Sequence, residues 1–236
     1  MNNRAVVSHI LDWLKAYADN SKREISTLVV GVSGGIDSAL VSKLCALTGK
    51  KTIVLTLPIK SPDISLSLLH SKQLVKDHPN VKHFEIDLSN MYDIFRDGFT
   101  NLGFSSDLGL ANTKARMRMI ALYQIAASSS GIVVGTGNKV EDFGVGFYTK
   151  YGDGGVDISP IADLTKSEVR SLARHLQIHE KIINTPPTDG LWEDGRSDEE
   201  QLGLSYAQIE EAMLNPNSEH HQRLSLIHIS EPTRRR

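Results

Sequence analysis

The most constraining feature of this sequence is the passage from an apolar segment through a short glycine-rich run into a helical pattern. The apolar segment is Leu28–Val32, the run is Ser33-Gly34-Gly35-Ile36-Asp37-Ser38, and the helical pattern begins near Ala39. Glycine-rich turns allow backbone N–H groups to close on an anion, and the positive end of a helix dipole favours negative charge. The run therefore predicts a phosphate-binding loop between a buried strand and a helix.

Three side chains of this Ser33–Ser38 loop refine the prediction. Ser33 and Ser38 offer hydroxyl donors, whereas Asp37 carries a negative charge that bare phosphate would repel. A carboxylate in such a place is expected beside a hard divalent cation, so the loop indicates a nucleotide phosphate site with Mg²⁺ nearby. The loop lacks the Gly-Lys-Ser/Thr of a Walker A loop and the Gly-x-Gly-x-x-Gly of a dinucleotide-binding turn.

Strand-like and helical patterns alternate along most of the chain, after an opening amphipathic helix. Strands are expected at about 28–32, 52–57, 81–87 and 131–135, and helices at about 38–48, 63–77, 91–102 and 111–129. Such alternation predicts a doubly wound, mostly parallel α/β sheet with helices on both faces. Ligands of these sheets lie beyond the carboxyl ends of the strands, where the Ser33–Ser38 loop and Thr136 should meet.

The pattern changes to short helices after Asp157. Capping boxes are expected at Thr165-x-x-Glu168, Ser197-x-x-Glu200 and Ser205-x-x-Gln208, and Asn215-Pro216 should end the last helix. The final segment, 223–236, carries a net charge of +3, which leaves −5 for the rest of the chain. We expect one domain over 1–222 and a tail over 223–236 that is foreign to the fold, with a disordered native tail as the alternative.

The composition is that of an ordinary globular chain. Of its 236 residues, 40% are apolar and 23% charged, and the formal net charge is −2. This charge argues against a general nucleic-acid binder, and the single cysteine, Cys45, excludes an internal disulfide. Because we find no bilayer-spanning apolar segment and no signal-peptide pattern, we expect a cytoplasmic enzyme that acts on neither membrane nor nucleic acid.

A second glycine-rich region follows the expected strand at 131–135. Gly135-Thr136-Gly137 offers another close backbone approach to a ligand, and Glu141 follows shortly after. The continuation to Asp157 contains Lys150 and several more glycines, which predicts a mobile loop that closes over the site. A solvated loop with scattered charge is the alternative interpretation of this segment.

Four further segments carry a recognisable pattern in addition to the Ser33–Ser38 loop. They are Lys114–Met119 (Lys-Ala-Arg-Met-Arg-Met), Gly135–Glu141 (Gly-Thr-Gly-Asn-Lys-x-Glu), Gly146–Ile158 (Gly-Phe-Tyr-Thr-Lys-Tyr-Gly-Asp-Gly-Gly-x-Asp-Ile), and Pro187–Trp192 with Ser-Asp-Glu at 197–199. Together they resemble the ammonia-dependent NAD synthetases, a family of PP-loop ATP pyrophosphatases. The resemblance runs from about residue 5 to about residue 214.

The resemblance implies a doubly wound fold, a homodimer and a reaction. In that reaction deamido-NAD, ATP and ammonia give NAD, AMP and pyrophosphate. The nicotinate carboxylate attacks the α-phosphorus to form an acyl-adenylate, from which ammonia displaces AMP. Neither step needs a protein nucleophile, so catalysis should come from positioning and charge stabilisation. No second domain with a catalytic cysteine fits in this length, so free ammonia is the expected donor.

The resemblance also assigns roles to residues of this chain. It implies ATP contacts from Gly31, Val32, Ser33, Gly34, Gly35, Ile36, Asp37, Ser38, Thr136, Lys166 and Thr188. Mg²⁺ is expected on Asp37 and Glu141, and deamido-NAD on Arg116, Lys150 and Asp157. The residues expected to act in catalysis are Asp37, Lys150, Asp157 and Lys166. Tyr17 matches an aromatic residue that stacks on substrate in the partner subunit, with core packing as the alternative.

Two other functions are compatible with the Ser33–Ser38 loop. One is a different PP-loop adenylating ligase, such as the ATP domain of a GMP synthetase or a tRNA-modifying enzyme, and the other is an inactive nucleotide-binding module. The charge of −5 before the tail argues against a tRNA enzyme. The chain departs from the family at one point: the family usually carries a His-Lys pair in the segment that covers deamido-NAD, whereas here Gln222 follows His220-His221.

Overall fold

The computed structural model describes residues 1–21, 24–61, 63–187 and 197–224. Its strands are β1 (Thr27–Gly31), β2 (Lys51–Thr56), β3 (Val81–Glu85) and β4 (Gly131–Val133). Its α-helices are α1 (Asn3–Asp19), α2 (Ile36–Leu47), α3 (Ser65–Asp77), α4 (Ser89–Thr100), α5 (Asp107–Ser128), α6 (Lys166–His175), α7 (Glu180–Ile183), α8 (Asp198–Leu202) and α9 (Tyr206–Leu214), and a π-helix spans Val140–Val145.

The strands form one parallel sheet in the order β3-β2-β1-β4. Within it, Val29 of β1 pairs with Ile53 of β2 on one side and with Val133 of β4 on the other. A bridge between Val134 and Ile158 brings the end of the second glycine-rich region alongside β4. The carboxyl ends of β1 and β4 therefore lie next to each other, and the chain segments that follow these strands share one edge of the sheet.

Helices cover both faces of the sheet because successive strand residues point to opposite sides. On one face Leu28 and Val30 pack with α1, α2, α3, α6 and α7, and on the other Val29 packs with Tyr92 of α4 and several residues of α5. Strands buried on both faces contain nearly continuous apolar runs, as the central strand β1 and its neighbour β2 do, whereas the edge strand β3 is mostly exposed. The predicted doubly wound, mostly parallel α/β fold is confirmed.

Side-chain caps start three of the C-terminal helices at the predicted positions. Reciprocal capping boxes join Thr165 with Glu168 at α6, Ser197 with Glu200 at α8, and Ser205 with Gln208 at α9. Each box satisfies N–H groups that the first helical turn leaves without an intrahelical partner. The last of these helices ends at Leu214, immediately before Asn215-Pro216.

A separate apolar core joins the C-terminal helices to the π-helix. Val140 of the π-helix packs with Leu202 of α8, Ile209 of α9 and Leu224, and all four side chains are buried. The first described part of the 223–236 segment thus contacts the body of the protein. Residues 225–236 lie outside the described residues, and the division of the chain at 222 stays a prediction.

The opening helix α1 is amphipathic as predicted. Val7, Ile10, Leu14 and Ala18 are buried, whereas Tyr17 is 42% exposed. The Tyr17 ring lies beside Trp13, with 5.9 Å between ring centroids, so Tyr17 does not belong to the core. Within the described ranges, no helix combines the length and hydrophobicity that crossing a membrane requires.

Candidate functional site

The Ser33–Ser38 loop leaves the carboxyl end of β1 and leads into α2. Gly34 has a φ of +95°, and a Cβ atom there would lie 3.1 Å from the backbone N of Ser67, so only glycine suits this contact between loop and α3. Ser38 Oγ donates to the Gly35 carbonyl at 2.9 Å. Because the N-cap of α2 forms no side-chain cap hydrogen bond, no capping group competes with an anion for the first-turn N–H groups.

A set of uncharged side chains, which we call the neutral network, supports this loop, and all of them are buried except the partly exposed His83. Its members are Ser42, Thr56, Ser67, His70 and His83. Ser67 Oγ donates to the Val32 carbonyl at 3.0 Å and lies 2.7 Å from Thr56 Oγ1. Ser42 Oγ donates to the Ser38 carbonyl at 2.7 Å and lies 3.0 Å from His70 Nε2. Burial lowers the pKa of His70 to about 4, so its ring is neutral near pH 7.

Three charged side chains meet beside the loop, and we call them the charged cluster. Lys166 Nζ donates to Asp37 Oδ2 at 2.5 Å and to Glu141 Oε1 at 2.8 Å. The Lys166 side chain is 1% exposed, and each of the two carboxylate side chains is 16% exposed. These residues come from the first turn of α2, from the π-helix and from the first position of α6. The structure thus unites three of the predicted site residues.

Asn138 links the two acids of the cluster, and the sequence analysis assigned it no role. Its Nδ2 donates to Asp37 Oδ1 at 3.0 Å, and its Oδ1 accepts from the backbone N–H groups of Val140 and Glu141 at 3.0 and 3.1 Å. Asn138 is fully buried. An asparagine three residues before an acid is the signal that could have indicated a cap of this kind. The π-helix that it starts is a rare form found mostly at functional sites.

Tyr206 is the second residue that the sequence analysis missed. Its hydroxyl donates to Glu141 Oε1 at 2.6 Å and lies 3.2 Å from Asp198 Oδ2, and Lys166 Nζ lies 4.7 Å from the centre of its ring. Burial, followed by the charges of Glu141 and Asp198, raises the pKa of this phenol, so it stays protonated. No local sequence signal distinguishes this tyrosine from an ordinary core residue at the start of α9.

The pKa values within the charged cluster reflect competition between burial and charge. Burial raises the pKa of Asp37; the charge of Lys166 opposes this shift and that of Glu141 adds to it. Burial by itself would also raise the pKa of Glu141. The charge of Lys166 and hydrogen bonds from Lys166, Tyr206 and Asn138 outweigh burial, so the pKa of Glu141 is lowered. Burial disfavours the Lys166 ammonium, yet the two carboxylates raise its pKa. The lysine therefore stays charged at neutral pH.

The predicted deamido-NAD residues lie around α5. Arg116 Nε donates to the Lys150 carbonyl at 3.1 Å, and Lys150 Nζ lies 5.0 Å from the centre of the Tyr151 ring. Asp157 accepts from the Val133 backbone N–H at 2.7 Å and from the Tyr123 hydroxyl at 3.0 Å. In the described part of the chain, no hydrogen bond or ion pair joins these three predicted residues to the charged cluster.

The second glycine-rich region encloses a cavity of about 200 Å³ next to the π-helix. Asp142 and Asp153 line it, and the Asp142 carboxylate lies so close to Gly137 that a Cβ there would be 2.3 Å from Asp142 Oδ2. Burial, with smaller contributions from neighbouring acids, raises the pKa of Asp142 to about 7. Thr136 lies at the start of this region, just after β4, whereas Thr188 lies outside the described residues.

Known proteins were compared with the chain at the level of sequence. A model of the NAD synthase family matches residues 6–231. An NH(3)-dependent NAD(+) synthetase from Archaeoglobus fulgidus is 39% identical over 218 residues, which is 90% of this chain and 84% of that protein. One from Carboxydothermus hydrogenoformans is 36% identical over 209 residues, which is 87% of this chain and 83% of that protein.

Solved structures of similar proteins match nearly the whole chain. NMN synthetase from Francisella tularensis is 29% identical with a TM-score of 0.88, and the match covers 100% of this chain and 97% of that one. The NH3-dependent NAD synthetase from Campylobacter jejuni is 28% identical with a TM-score of 0.74, covering 100% and 94% of the two chains. The names of these two proteins give different products, NMN and NAD.

Proposed function

Because the chain belongs to the NAD synthase family, we propose that it is a ligase that forms NAD from deamido-NAD, ATP and ammonia and releases AMP and pyrophosphate. The observation that carries this proposal is the 39% identity to an ammonia-dependent synthetase over 90% of the chain. The charged cluster beside the Ser33–Ser38 loop gives a physical basis for the adenylation step. Such identity across the whole domain favours this ligase over the other PP-loop enzymes and over an inactive module.

The Ser33–Ser38 loop is the proposed site for the ATP phosphates. Pyrophosphate gains charge as it leaves, and the uncapped first turn of α2 supplies N–H groups and a helix dipole that stabilise this charge. Ser33 and Ser38 hydroxyls lie 3.1 Å apart at the mouth of the same turn. Gly31 ends β1, Val32 follows it, and Thr136 follows the adjacent strand β4, which supports their predicted ATP contacts.

Asp37 and Glu141 are the residues that would hold Mg²⁺. Their carboxylate oxygens are the hard ligands that Mg²⁺ prefers, and they already converge on a single cation, the Lys166 ammonium. With all three groups charged, the cluster has a net charge of −1, which suits an added divalent cation. When bound, Mg²⁺ neutralises phosphate charge and orients the triphosphate. Two carboxylates plus substrate phosphates form a usual Mg²⁺ site.

Lys166 is proposed to contact the phosphates. Its ammonium is buried and charged, so it can pair with phosphate oxygens without paying a new desolvation cost. Its two present partners are the acids that would receive Mg²⁺. Asp37 and Glu141 would hold the metal, and Lys166 would pair with phosphate in place of these carboxylates.

Arg116 and Lys150 are proposed to bind deamido-NAD through its anionic groups. The Arg116–Lys150 backbone contact places two cationic residues together, and this supports binding of the nicotinate carboxylate or a phosphate. Asp157 already accepts two hydrogen bonds that join β4 to α5. Those bonds favour a role for Asp157 in holding the substrate loop over a role in moving a proton.

The proposed function is tested by measuring NAD formation and pyrophosphate release in parallel. Asp37→Asn and Glu141→Gln remove charge with little change of shape and should each lower kcat/KM about 100-fold or more, because electrostatic stabilisation of the leaving group is lost. Asp19→Asn is the matched control, since Asp19 is a surface acid that pairs with Lys50. Undiminished pyrophosphate release by both cluster variants would refute the metal assignment.

A second candidate is amidation of the mononucleotide, deamido-NMN, by the same chemistry. It is favoured by the TM-score of 0.88 to an NMN synthetase, against 0.74 to a solved NAD synthetase. The absence of a lysine after His220-His221 agrees with this candidate, because the His-Lys pair usual in the family lies in the segment that covers the dinucleotide. Comparing kcat/KM for deamido-NAD and deamido-NMN under the same conditions decides between them, and a higher value for the mononucleotide would replace the first candidate.

A homodimer is proposed to cover the apolar face of α4. Only Tyr92 of this helix is buried. An exposed apolar surface is formed by Met91, Ile94, Phe95 and Phe99 of α4 and by Leu102 and Phe104 just after it. An apolar surface of this extent is typical of an interaction site, and the resemblance to homodimeric synthetases favours a second copy as the partner. The mass in solution should be about twice the 26.0 kDa of the chain.

The dimer is tested by one lysine substitution and its control. Ile94→Lys places a charge in the α4 surface and should shift the protein toward the monomer in sedimentation experiments. Leu214→Lys changes an equally exposed leucine at the end of α9 and should leave the mass unchanged. A monomeric wild-type protein at micromolar concentration would contradict the proposal.

A further inference from the structure

We propose that Tyr206 is a positioning residue of this site, which holds Glu141 ready for a divalent cation. The inference rests on the proposed function, because it takes Glu141 as a metal ligand. It concerns a residue of α9, a helix that contributes no other group to the predicted site. Two features of the structure support this role: the acceptor of the single hydroxyl proton of Tyr206 and the contacts that hold the tyrosine in place.

The hydroxyl proton of Tyr206 goes to Glu141. A phenol has one proton to donate, and the oxygen lies 2.6 Å from Glu141 Oε1 but 3.2 Å from Asp198 Oδ2. The shorter distance is that of a charge-assisted O–H···O⁻ bond, which is stronger than a neutral one. The same carboxylate oxygen also accepts from Lys166 Nζ at 2.8 Å. Together the two hydrogen bonds set the orientation of the Glu141 carboxylate group.

The ring of Tyr206 contacts the cationic member of the cluster. Lys166 Nζ lies 4.7 Å from the ring centre, within the range of a cation–π contact. Tyr206 therefore touches both Glu141 and Lys166 with two chemically different parts of one side chain. Because the ring remains when phenylalanine replaces tyrosine, the contribution of the hydroxyl can be measured by itself.

Tyr206 is itself held in place by α8 and α9. Its side chain is 1% exposed and packs with Val140 and Ile209, and its backbone N–H donates to Glu199 Oε1 at 2.8 Å. The capping box of Ser205 and Gln208 fixes the start of the helix that carries it. A donor anchored this way keeps Glu141 in one orientation, so the carboxylate loses little conformational freedom when a cation binds.

The test measures metal binding directly, with Mn²⁺ as the probe, by the loss of the electron paramagnetic resonance signal of free Mn²⁺. Tyr206→Phe should bind Mn²⁺ about 10-fold more weakly than the wild type, the usual effect of removing a partner of a metal ligand. The Mg²⁺ concentration that gives half-maximal activity should rise by a similar factor, while kcat at saturating Mg²⁺ changes less. Purely structural damage would not produce this split.

Two control variants separate the hydroxyl from its surroundings. Tyr92→Phe removes another buried tyrosine hydroxyl on the opposite face of the sheet and should bind Mn²⁺ like the wild type. Asp198→Asn removes the negative charge of the competing acceptor and should bind Mn²⁺ at least as tightly as the wild type. Weakened binding in either control, equal to that of Tyr206→Phe, would overturn the proposal.

Glu141→Gln distinguishes a failure of this inference from a failure of the proposed function. If Glu141→Gln abolishes Mn²⁺ binding and Tyr206→Phe leaves it unchanged, Glu141 is a ligand and the positioning role of Tyr206 is wrong. If Glu141→Gln binds Mn²⁺ as the wild type does, the metal assignment and this inference are both wrong. If Tyr206→Phe does not fold, the Asp198→Asn affinity decides, and a value below that of the wild type overturns the proposal.

Discussion

Two buried polar regions contact the Ser33–Ser38 loop, and they differ in charge. The neutral network joins the loop to α3, β2 and β3 through hydroxyls and imidazoles, whereas the charged cluster joins it to the π-helix and α6 through an ammonium and two carboxylates. Hydrogen bonds alone are enough to fix a backbone. Buried charge is costly, and it is concentrated where a charged ligand is proposed to bind. The contrast indicates that the neutral network supports the loop, whereas the charged cluster is the place where chemistry is proposed.

The two regions also hold their protons in opposite ways. In the neutral network burial dominates, and it lowers the pKa of His70 to about 4. In the charged cluster burial acts on Lys166 in the same direction, but two carboxylates outweigh it and raise the lysine pKa. A buried base thus loses its proton in one region and keeps it in the other, according to whether acids are present.

The largest expected effect is that of Lys166→Met. It leaves two buried carboxylates without their shared cation and should lower the free energy of unfolding by about 3–5 kcal/mol, with loss of activity. Urea denaturation measures the change. Lys50→Met is the control, because its ion pair with Asp19 lies at the surface and should contribute at most about 1 kcal/mol. Equal effects of the two variants would show that the charged cluster contributes no more to stability than a surface ion pair does.

The pH dependence of stability should reveal the neutral network. The pKa of His70 is about 4 in the folded protein against an ordinary value of 6.5, so the unfolded chain takes up a proton first as the pH falls. The contribution of the neutral His70 ring to the free energy of unfolding is complete well above pH 6.5 and should decline by about 3 kcal/mol toward pH 4.

The measurement is the difference in unfolding free energy between wild type and His70→Gln across pH 4 to 7. The variant lacks the titrating ring and should show a shallower decline over this interval, while acids elsewhere affect both proteins alike. Parallel curves for the two proteins would show that folding does not lower the pKa of His70, and the proposed effect of burial on this ring would then be wrong.

Gly34→Ala should destabilise the protein by about 1–3 kcal/mol, because its φ of +95° strains any other residue and the added Cβ would meet Ser67. The KM for ATP should rise as the loop shifts. The matched control is Gly98→Ala in α4, where nothing lies within 4 Å and helix propensity predicts a gain of about 1 kcal/mol. Thermal unfolding of both variants gives the comparison, and the same sign for both would contradict it.

The smallest effect is expected for Thr56→Val, which removes one hydroxyl from the neutral network without changing the shape of the core. Ser67 and His83 each lose a partner, and the expected cost is about 1 kcal/mol with kcat close to that of the wild type. A large fall in kcat at unchanged stability would show that the neutral network takes part in the chemistry.

Much of the fold could be predicted because its signals are local. The strand at 28–32 and the helix starts at Thr165, Ser197 and Ser205 were expected within a residue of where they lie, since apolar runs and capping boxes are short-range patterns. The strand expected at 131–135 ends at Val133, because only a single bridge at Val134 continues the pairing.

The candidate site could be predicted only in part. The residue types and the resemblance indicated Asp37, Glu141 and Lys166, and the structure brings them within hydrogen-bond distance, although their roles toward metal and phosphate stay predictions. The contributions of Asn138 and Tyr206 were missed. Asn138 belongs to a recognised motif without an evident task, and Tyr206 follows a capping serine as many core residues do.

By itself the sequence determined the alternation of strands and helices, the glycine-rich loop after the first strand and the capping boxes of the C-terminal helices, because each depends on residues a few positions apart. Only the tertiary structure decided which donor serves which acid. Glu141 lies 25 positions from Lys166 and 65 positions from Tyr206 in the sequence. The distances between these side chains depend on how the π-helix, α6 and α9 pack together. Packing over such separations reflects the shape of the whole core, which no local pattern contains.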